Sequence, residues 1–423
     1  MRIFVTVIAA CAALYALALT WRQNERAAGL DFYIYFVAGQ LAGRADVDDI
    51  YGADVQERVG EEYFERARQS GSELRQYDAQ RRRRLDLVSS PFLFTTLRWV
   101  SGNYERALLQ DHVLVLGAFM AGLLLLCRAS GVSWAASLFL LAALLLWYRG
   151  FEADLRVGNV NSLQLAALGA FVWLIGRRSA VGSLQDHVEK SQPTDARPHL
   201  GEALPWILLG ALVLFKPNLM FVPLLFAVAR VARREFRRLG LELTAGAAGA
   251  LAAFVIASIS YGSPRVWLQW VRAANAFYHR LPGRMERNVT PALGLFQQYG
   301  EWISYALAAL LLVIVCVVLV RTRSDDAPLL AGLGVLIYLM TANVVWLHYM
   351  VLLIPVAAAL MRWRFTGAVA LLALLLAAEE PFEWAFGRAA LPVETMLITP
   401  ALLLLFVCAV WKLSDRHPAA ALM

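Results

Sequence analysis

Apolar segments long enough to cross a bilayer recur along the whole chain, and no other feature restricts its fold as much. A spanning helix needs about 20 mostly apolar residues, and its backbone polar groups must be satisfied within the segment. Such segments occupy residues 3–20, 109–127, 132–148, 161–176, 204–229, 241–261, 302–320, 328–346, 349–361, 365–379 and 396–411. The 204–229 segment is interrupted by Lys216-Pro217-Asn218, and counting it as two helices meeting near Lys216 gives about 12 transmembrane helices. With 60% hydrophobic and 17% charged residues over 423 positions, a soluble domain is excluded. The expected fold is an all-α polytopic membrane protein, one integral membrane domain spanning 1–423. Residues 3–20 also carry Ala16-Leu17-Ala18, a cleavage-like triplet of the kind that ends signal peptides. The many later returns to the membrane favour a retained anchor.

Between these segments lie two large polar loops, 21–108 and 262–300, and a linker-like stretch at 177–203 rich in charge, Ser, Gln and Pro. The net charge of +7 comes from basic clusters flanking apolar segments, a pattern that fixes orientation and meets anionic headgroups, not nucleic acid. Arg177, Arg178, the Arg230–Arg238 cluster, Arg321, Arg323, Arg362, Arg364 and Lys412 fall on one side. That side reads as cytoplasmic and includes the 177–203 linker, so both large loops are expected to be extracytoplasmic. Arg265, Arg272, Arg280, Arg284 and Arg287 in the second loop run against this rule. The four cysteines lie in or beside apolar segments and show neither metal-type nor disulfide-framework spacing.

The first polar loop opens with Asp31, followed by the aromatic rings of Phe32, Tyr33 and Tyr35. Such rings favour the interface between water and lipid. A carboxylate there can take a proton from a polar substrate presented beside a lipid. Asp is also a favoured N-cap, and Phe32 to Leu41 has the pattern of a helix it would cap. Charge or strong polarity inside apolar segments is costly and marks function by default. Lys216 is one such group, able to neutralise a phosphate or to snorkel from a short helix. Gly158-Asn159-Val160-Asn161 is a second, reading either as donors to hydroxyl or phosphate oxygens or as a turn and cap. His348-Tyr349 is a third, a phosphate or proton partner or a hydrogen-bonded structural histidine. Asp46, Asp48, Asp49, Glu152 and Asp154 add acids in the same polar connections, with no spacing that defines a metal site. The run Arg81-Arg82-Arg83-Arg84 reads as a solvated face or as a contact for phosphate headgroups.

No Walker loop, dinucleotide fingerprint, nucleophile elbow or zinc signature occurs, and no cofactor is indicated. Asp31-Phe32-Tyr33-x-Tyr35, Pro91-Phe92, Gly158-Asn159-Val160-Asn161, Lys216-Pro217-Asn218 and His348-Tyr349 follow one another in an order that resembles glycosyltransferase family 87. Ser89-Ser90-Pro91 stands where that family's pattern has Tyr-Pro-Pro, and Asn159 where it has Gln. The resemblance implies a GT-C fold in a bacterial plasma membrane, and transfer of a sugar, mannose being the family's example, on the extracytoplasmic side. The implied partners are a polyprenyl-phosphate sugar donor, a lipid or glycan acceptor, and membrane lipids. It implies Asp31 as general base in an inverting reaction; charge developing on the donor phosphate needs cationic stabilisation, for which Lys216 and His348 are the candidates. Tyr33, Tyr35, Asn159, Asn161, Asn218 and Tyr349 are the expected substrate contacts. A transporter or flippase of a lipid-linked or polar substrate is the alternative, since a broken helix carrying a charge suits it equally.

Overall fold

A computed structural model describes residues 2–44, 46–99, 102–188, 200–280, 289, 300, 302–378 and 391–415. Among the described residues the chain is all-helical, with no β-strand. Five helices are long and apolar enough to cross a membrane: α1 (Arg2–Asn24), α6 (Tyr104–Ala129), α12 (Phe236–Ser260), α14 (Trp302–Thr322) and α18 (Leu391–Ser414). A sixth span results if α7 (Trp134–Trp147) and α8 (Arg149–Val157) form one crossing bent by 65°. The chain is therefore a polytopic membrane protein. Tyr305, Leu310, Val313, Val317 and Val320 on α14 are exposed, an apolar surface that lipid satisfies and water would not.

Shorter apolar helices fill the interior. Every residue of α15 (Ala327–Thr341) and of α16 (Ile354–Leu360) is buried, so protein surrounds them on all sides. The Asp326 side chain caps α15 by accepting from Leu329 N (3.0 Å). A 3-10 segment, Leu347–Leu353, leads into α16, and α17 (Arg364–Leu376) follows. The interrupted apolar segment resolves into α10 (Leu200–Phe215), a 3-10 turn at Pro217–Leu219, and α11 (Phe221–Arg233). Lys216 sits at the break with extended backbone (φ −157°, ψ 125°). The proline after it disfavours helical geometry at the preceding residue, which is why the break falls there.

Close helix packing is set by glycines. A Cβ at Gly249 on α12 would lie 1.9 Å from Ile207 O on α10, and one at Gly210 would lie 1.9 Å from Gly246 O. The two backbones touch along this stripe. On α9 (Asn161–Val188), a Cβ at Gly169 would meet Gly122 O of α6 at 2.9 Å. Helix α9 runs on through the first part of the linker-like stretch, and residues 189–199 lie outside the described set.

The first polar loop folds into α2 (Leu30–Leu41), α3 (Ala53–Arg68), α4 (Glu73–Arg81) and α5 (Pro91–Thr96). Phe32 to Gly39 on α2 are all buried, so this helix has no free face. The second polar loop contributes α13 (Arg265–Arg280), clasped to the first by Trp270 Nε1 donating to Val88 O (2.9 Å) and Gln269 Nε2 to Asp48 O (3.2 Å). Residues 281–288, 290–299 and 301 lie outside the described set.

Two expectations change. Asp31 is not the cap of α2: the helix begins two residues earlier, at Leu30, Gly29 is the capping residue, and no side chain caps it. Its carboxylate has charged and amide partners instead. The four-arginine run is not uniformly solvated. Arg81, Arg83 and Arg84 are exposed, whereas Arg82 turns inward, because the end of α4 points it at Leu30 and Asp31.

Candidate active site

Glycine at position 29 brings α2 close to α6, where a Cβ would lie 2.4 Å from Leu108 Cδ1. This places Asp31 in the first turn of α2 with its side chain 18% exposed. Oδ1 accepts from Arg82 Nη2 at 2.8 Å, and Arg82 Nε donates to Leu30 O at 3.2 Å. One guanidinium thus grips both the carboxylate and the backbone beside it. Helix α4 is anchored in turn by Asp78, whose Oδ2 accepts from Tyr104 Oη (2.6 Å) and Gly29 N (3.2 Å). Burial is the main cause that holds the Asp78 carboxyl above the usual range.

The other side of Asp31 is built by the α8–α9 turn. Gly158 adopts the left-handed conformation (φ 66°), and a Cβ there would lie 2.5 Å from Phe32 Cβ. Glycine alone fits on both counts. The turn aims Asn159 at α2, and its Nδ2 donates to Asp31 Oδ2 at 2.7 Å. Asn159 Oδ1 accepts from Lys216 Nζ (3.0 Å) and Val160 N (2.8 Å). The amide cannot be turned over, since a carboxylate only accepts and an ammonium only donates. The second Nδ2 hydrogen faces His348 Nε2 at 3.2 Å, which makes that nitrogen an acceptor and puts the ring proton on Nδ1.

Asn161 repeats the device. Its Nδ2 donates to Asp154 Oδ1 (2.9 Å) and His348 O (3.2 Å), and its Oδ1 accepts from Lys216 Nζ (2.9 Å). Asp154 Oδ2 accepts from Ser162 N (2.9 Å) and Ser162 Oγ (2.6 Å) at the start of α9. The buried Lys216 ammonium also lies 4.4 Å from the centroid of the Tyr349 ring. A continuous line results: Asp31, Asn159, Lys216, Asn161, Asp154. Two carboxylates flank one ammonium, each separated from it by a single amide, and Arg82 balances the remaining negative charge.

The structure thus brings together Asp31, Asn159, Asn161, Lys216, His348 and Tyr349. Asn218 stands one step back: its Nδ2 donates to Gln164 Oε1 (3.4 Å), and Gln164 Nε2 donates to Lys216 O (3.3 Å). Tyr33 and Tyr35 take no part in this line of bonds. Tyr33 is buried edge-on against Tyr104 (5.6 Å between centroids), and Tyr35 is buried against Phe94 (6.2 Å). Arg82 and the bridging role of Asp154 escaped the sequence reading. Nothing marks Arg82 within four arginines. Asp154 had a weak signal, an acid within seven residues of Asn161 in one short connection. Of the acids at 46–49, Asp46 pairs with Arg44 and Arg58, and the Arg44 hydrogen bonds hold its carboxyl well below the usual range.

Chemically, the site offers a partly exposed carboxylate that can accept a proton and, one amide away, a fixed positive charge that can stabilise an anion. The His348 ring faces that same bridging amide. Searches against protein families, curated proteins and solved structures return no match to this chain.

Proposed function

We propose that the chain is a membrane glycosyltransferase of the GT-C kind, moving a sugar from a polyprenyl-phosphate donor to a lipid or glycan acceptor. The observation that carries this reading is the union of Asp31, Asn159, Lys216 and His348 in one hydrogen-bonded line. These residues come from four separate stretches of a membrane chain that has no nucleotide-binding motif. Asp31 acts as general base. It takes the proton of the acceptor hydroxyl as that oxygen bonds to the anomeric carbon, and the bond from that carbon to the phosphate oxygen breaks on the opposite face. Polyprenyl phosphate leaves with the electron pair, so configuration inverts. General-base assistance is worth roughly 10²–10⁴-fold in rate. Lys216, fixed before the reaction starts, offsets charge growing on the leaving phosphate, and Arg82 and Asn159 hold Asp31 in place.

Under this proposal the shorter apolar helices complete about 12 crossings of a bacterial plasma membrane, and both large loops with the site face the extracytoplasmic side. Mannose is the proposed sugar. The test is transfer of radiolabel from polyprenyl-phosphate sugars into membrane lipid or glycan. Asp31→Asn, which keeps the shape and the Arg82 contact, is expected to lose roughly 10²-fold or more of the rate. Transfer by this variant at the wild-type rate overturns Asp31 as the base. The helix break at Lys216 favours one rival, a transporter or flippase. That rival requires uptake or flipping of a labelled lipid-linked substrate without formation of a new glycosidic bond.

A further inference from the structure

A second concave surface lies where the first polar loop meets α13, a cleft of about 230 Å³. Asp31 and the residues that hold it do not line it. Its walls carry the carboxylates of Asp49 and Asp86, the guanidiniums of Arg84 and Arg272, and the rings of Tyr51 and Phe277. Arg84, Asp86 and Arg272 are exposed and make no hydrogen bond or ion pair among the described residues. Asp49 uses Oδ1 to accept from Tyr51 N (2.9 Å), which leaves Oδ2 to the cleft.

The frame around these groups is fixed by other bonds. Gln56 Nε2 donates to Tyr51 O (2.8 Å), its Oε1 accepts from Leu87 N (3.0 Å), and Trp270 bonds Val88 O across the seam. The backbone frame of the cleft therefore keeps its form without a ligand, and the ordering cost falls on the exposed side chains of Arg84 and Arg272. Its charged groups are equal in number and opposite in sign, yet they do not pair. A phosphate would meet two carboxylates there, and a cation would meet two guanidiniums. A neutral polyol satisfies both: its hydroxyls donate to Asp49 and Asp86 and accept from Arg84 and Arg272. Tyr51, 5% exposed, and the half-buried Phe277 add apolar lining for the C–H groups of a pyranose. The volume is below the roughly 300–1,000 Å³ typical of sites for drug-sized molecules, which suits one sugar ring and not an extended glycan.

We propose that this cleft is a saccharide subsite that seats one neutral sugar ring of the acceptor. That the ring belongs to the acceptor rests on the transferase reading; affinity for the sugar does not. The cleft is joined to the active site through residues 89–90. Tyr51 Oη donates to Ser89 O (2.8 Å), and Ser90 Oγ donates to Phe215 O (2.8 Å), next to Lys216.

The test is a titration of the full chain in detergent with methyl α-mannopyranoside, read by saturation-transfer NMR. Saturable binding is expected. Arg272→Ala and Asp86→Ala, both at exposed positions without partners, should each weaken it by at least about tenfold, the equivalent of one hydrogen bond to a charged group. Asp31→Asn should leave it unchanged. Absence of saturable binding, or binding indifferent to both cleft variants, overturns the subsite. Displacement of the sugar by a lower concentration of inorganic phosphate overturns its neutral-sugar character. Sugar binding with these dependences in a chain that transfers nothing sustains the subsite and refutes the transferase reading. Where transfer is measured, Arg272→Ala should raise the acceptor KM and leave kcat and the donor KM unchanged. A fall in kcat at unchanged acceptor KM overturns the assignment to the acceptor.

Discussion

Replacing Lys216 by Met separates what the ammonium does for the fold from what it does for the reaction. The substitution keeps length and apolar bulk and removes the charge. Two hydrogen bonds from a charged donor are lost, to Asn159 Oδ1 and Asn161 Oδ1, at about 1.5–3 kcal/mol each. Loss of the contact with the Tyr349 ring adds about 2 kcal/mol. Against this, the several kcal/mol spent in taking an ammonium out of water are recovered. Breaking a buried ion pair is usually severe because a bare charge remains. Here the direct partners are neutral amides. Asp31 keeps Arg82, and Asp154 keeps Ser162 and Asn161. Asn159 Oδ1 keeps Val160 N, so Asn161 Oδ1 alone loses its hydrogen-bond partner, at about 1–3 kcal/mol. Asp154, fully buried, also loses its counter-charge, so the expected net destabilisation is about 3–5 kcal/mol, a melting temperature lowered by roughly 10 °C or somewhat more. The transfer rate should fall much further, by roughly 10²–10³-fold, as when one preorganised donor to a developing anion is removed. Melting followed by tryptophan fluorescence in detergent, beside the radiolabel assay, measures both. A variant that melts as expected but transfers within about tenfold of wild type refutes the catalytic role. A variant that does not fold refutes the energetic reasoning.

Three further outcomes follow from the packing and the charges. Gly249→Ala should destabilise markedly, because its Cβ would meet the Ile207 carbonyl at 1.9 Å; Gly246→Ala, with its nearest atom at 3.7 Å, should be neutral or stabilising by up to about 1 kcal/mol in a detergent melt. Arg230→Ala should cost about 1.5–3 kcal/mol, because the buried Glu242 then keeps only Arg238 (3.0 Å) as a charged partner, and Arg230→Met with Glu242→Leu should recover most of it; equal melting of the single and double variants counts against this. Because burial raises the Asp78 pKa above its unfolded value, its favourable contribution is complete below the ordinary aspartate value near pH 4 and is lost as pH rises through the folded value. Asp78→Asn, which keeps an acceptor for Tyr104 Oη and Gly29 N, should flatten the fall in melting temperature over that window, and coincident pH profiles would contradict the assignment.

The membrane character and the helix break at Lys216 were legible because hydrocarbon leaves a coarse mark on sequence: long apolar runs, with any charge inside them conspicuous. The same contrast exposed Asn159, Asn161, Lys216 and His348, each a polar residue where polarity is costly. Asp31 stood out for its aromatic neighbours, yet its cap role was misread. Helix propensity speaks only to local partners, and the true ones, Arg82 and Asn159, are 51 and 128 residues away. Arg82 was invisible for the opposite reason, since a charge in a charged loop carries no contrast. The interior helices α15 and α16 lie in apolar runs that the sequence marks at 328–346 and 349–361, but apolar content does not show whether lipid or protein surrounds a helix, and their complete burial appears only in the structure.

The line from Asp31 to Asp154 also bears on how such a chain can be made. Synthesis proceeds from the N-terminus, so Asn159 and Asn161 emerge 57 and 55 residues before the ammonium that they receive. An uncompensated lysine at mid-bilayer costs about 2.5–3.5 kcal/mol on insertion. Lys216 finds its two amide oxygens already synthesised, whereas the reverse order would leave a charge within an apolar segment without them. Asp31 does precede its partners, but it waits in a polar loop where water serves in their place.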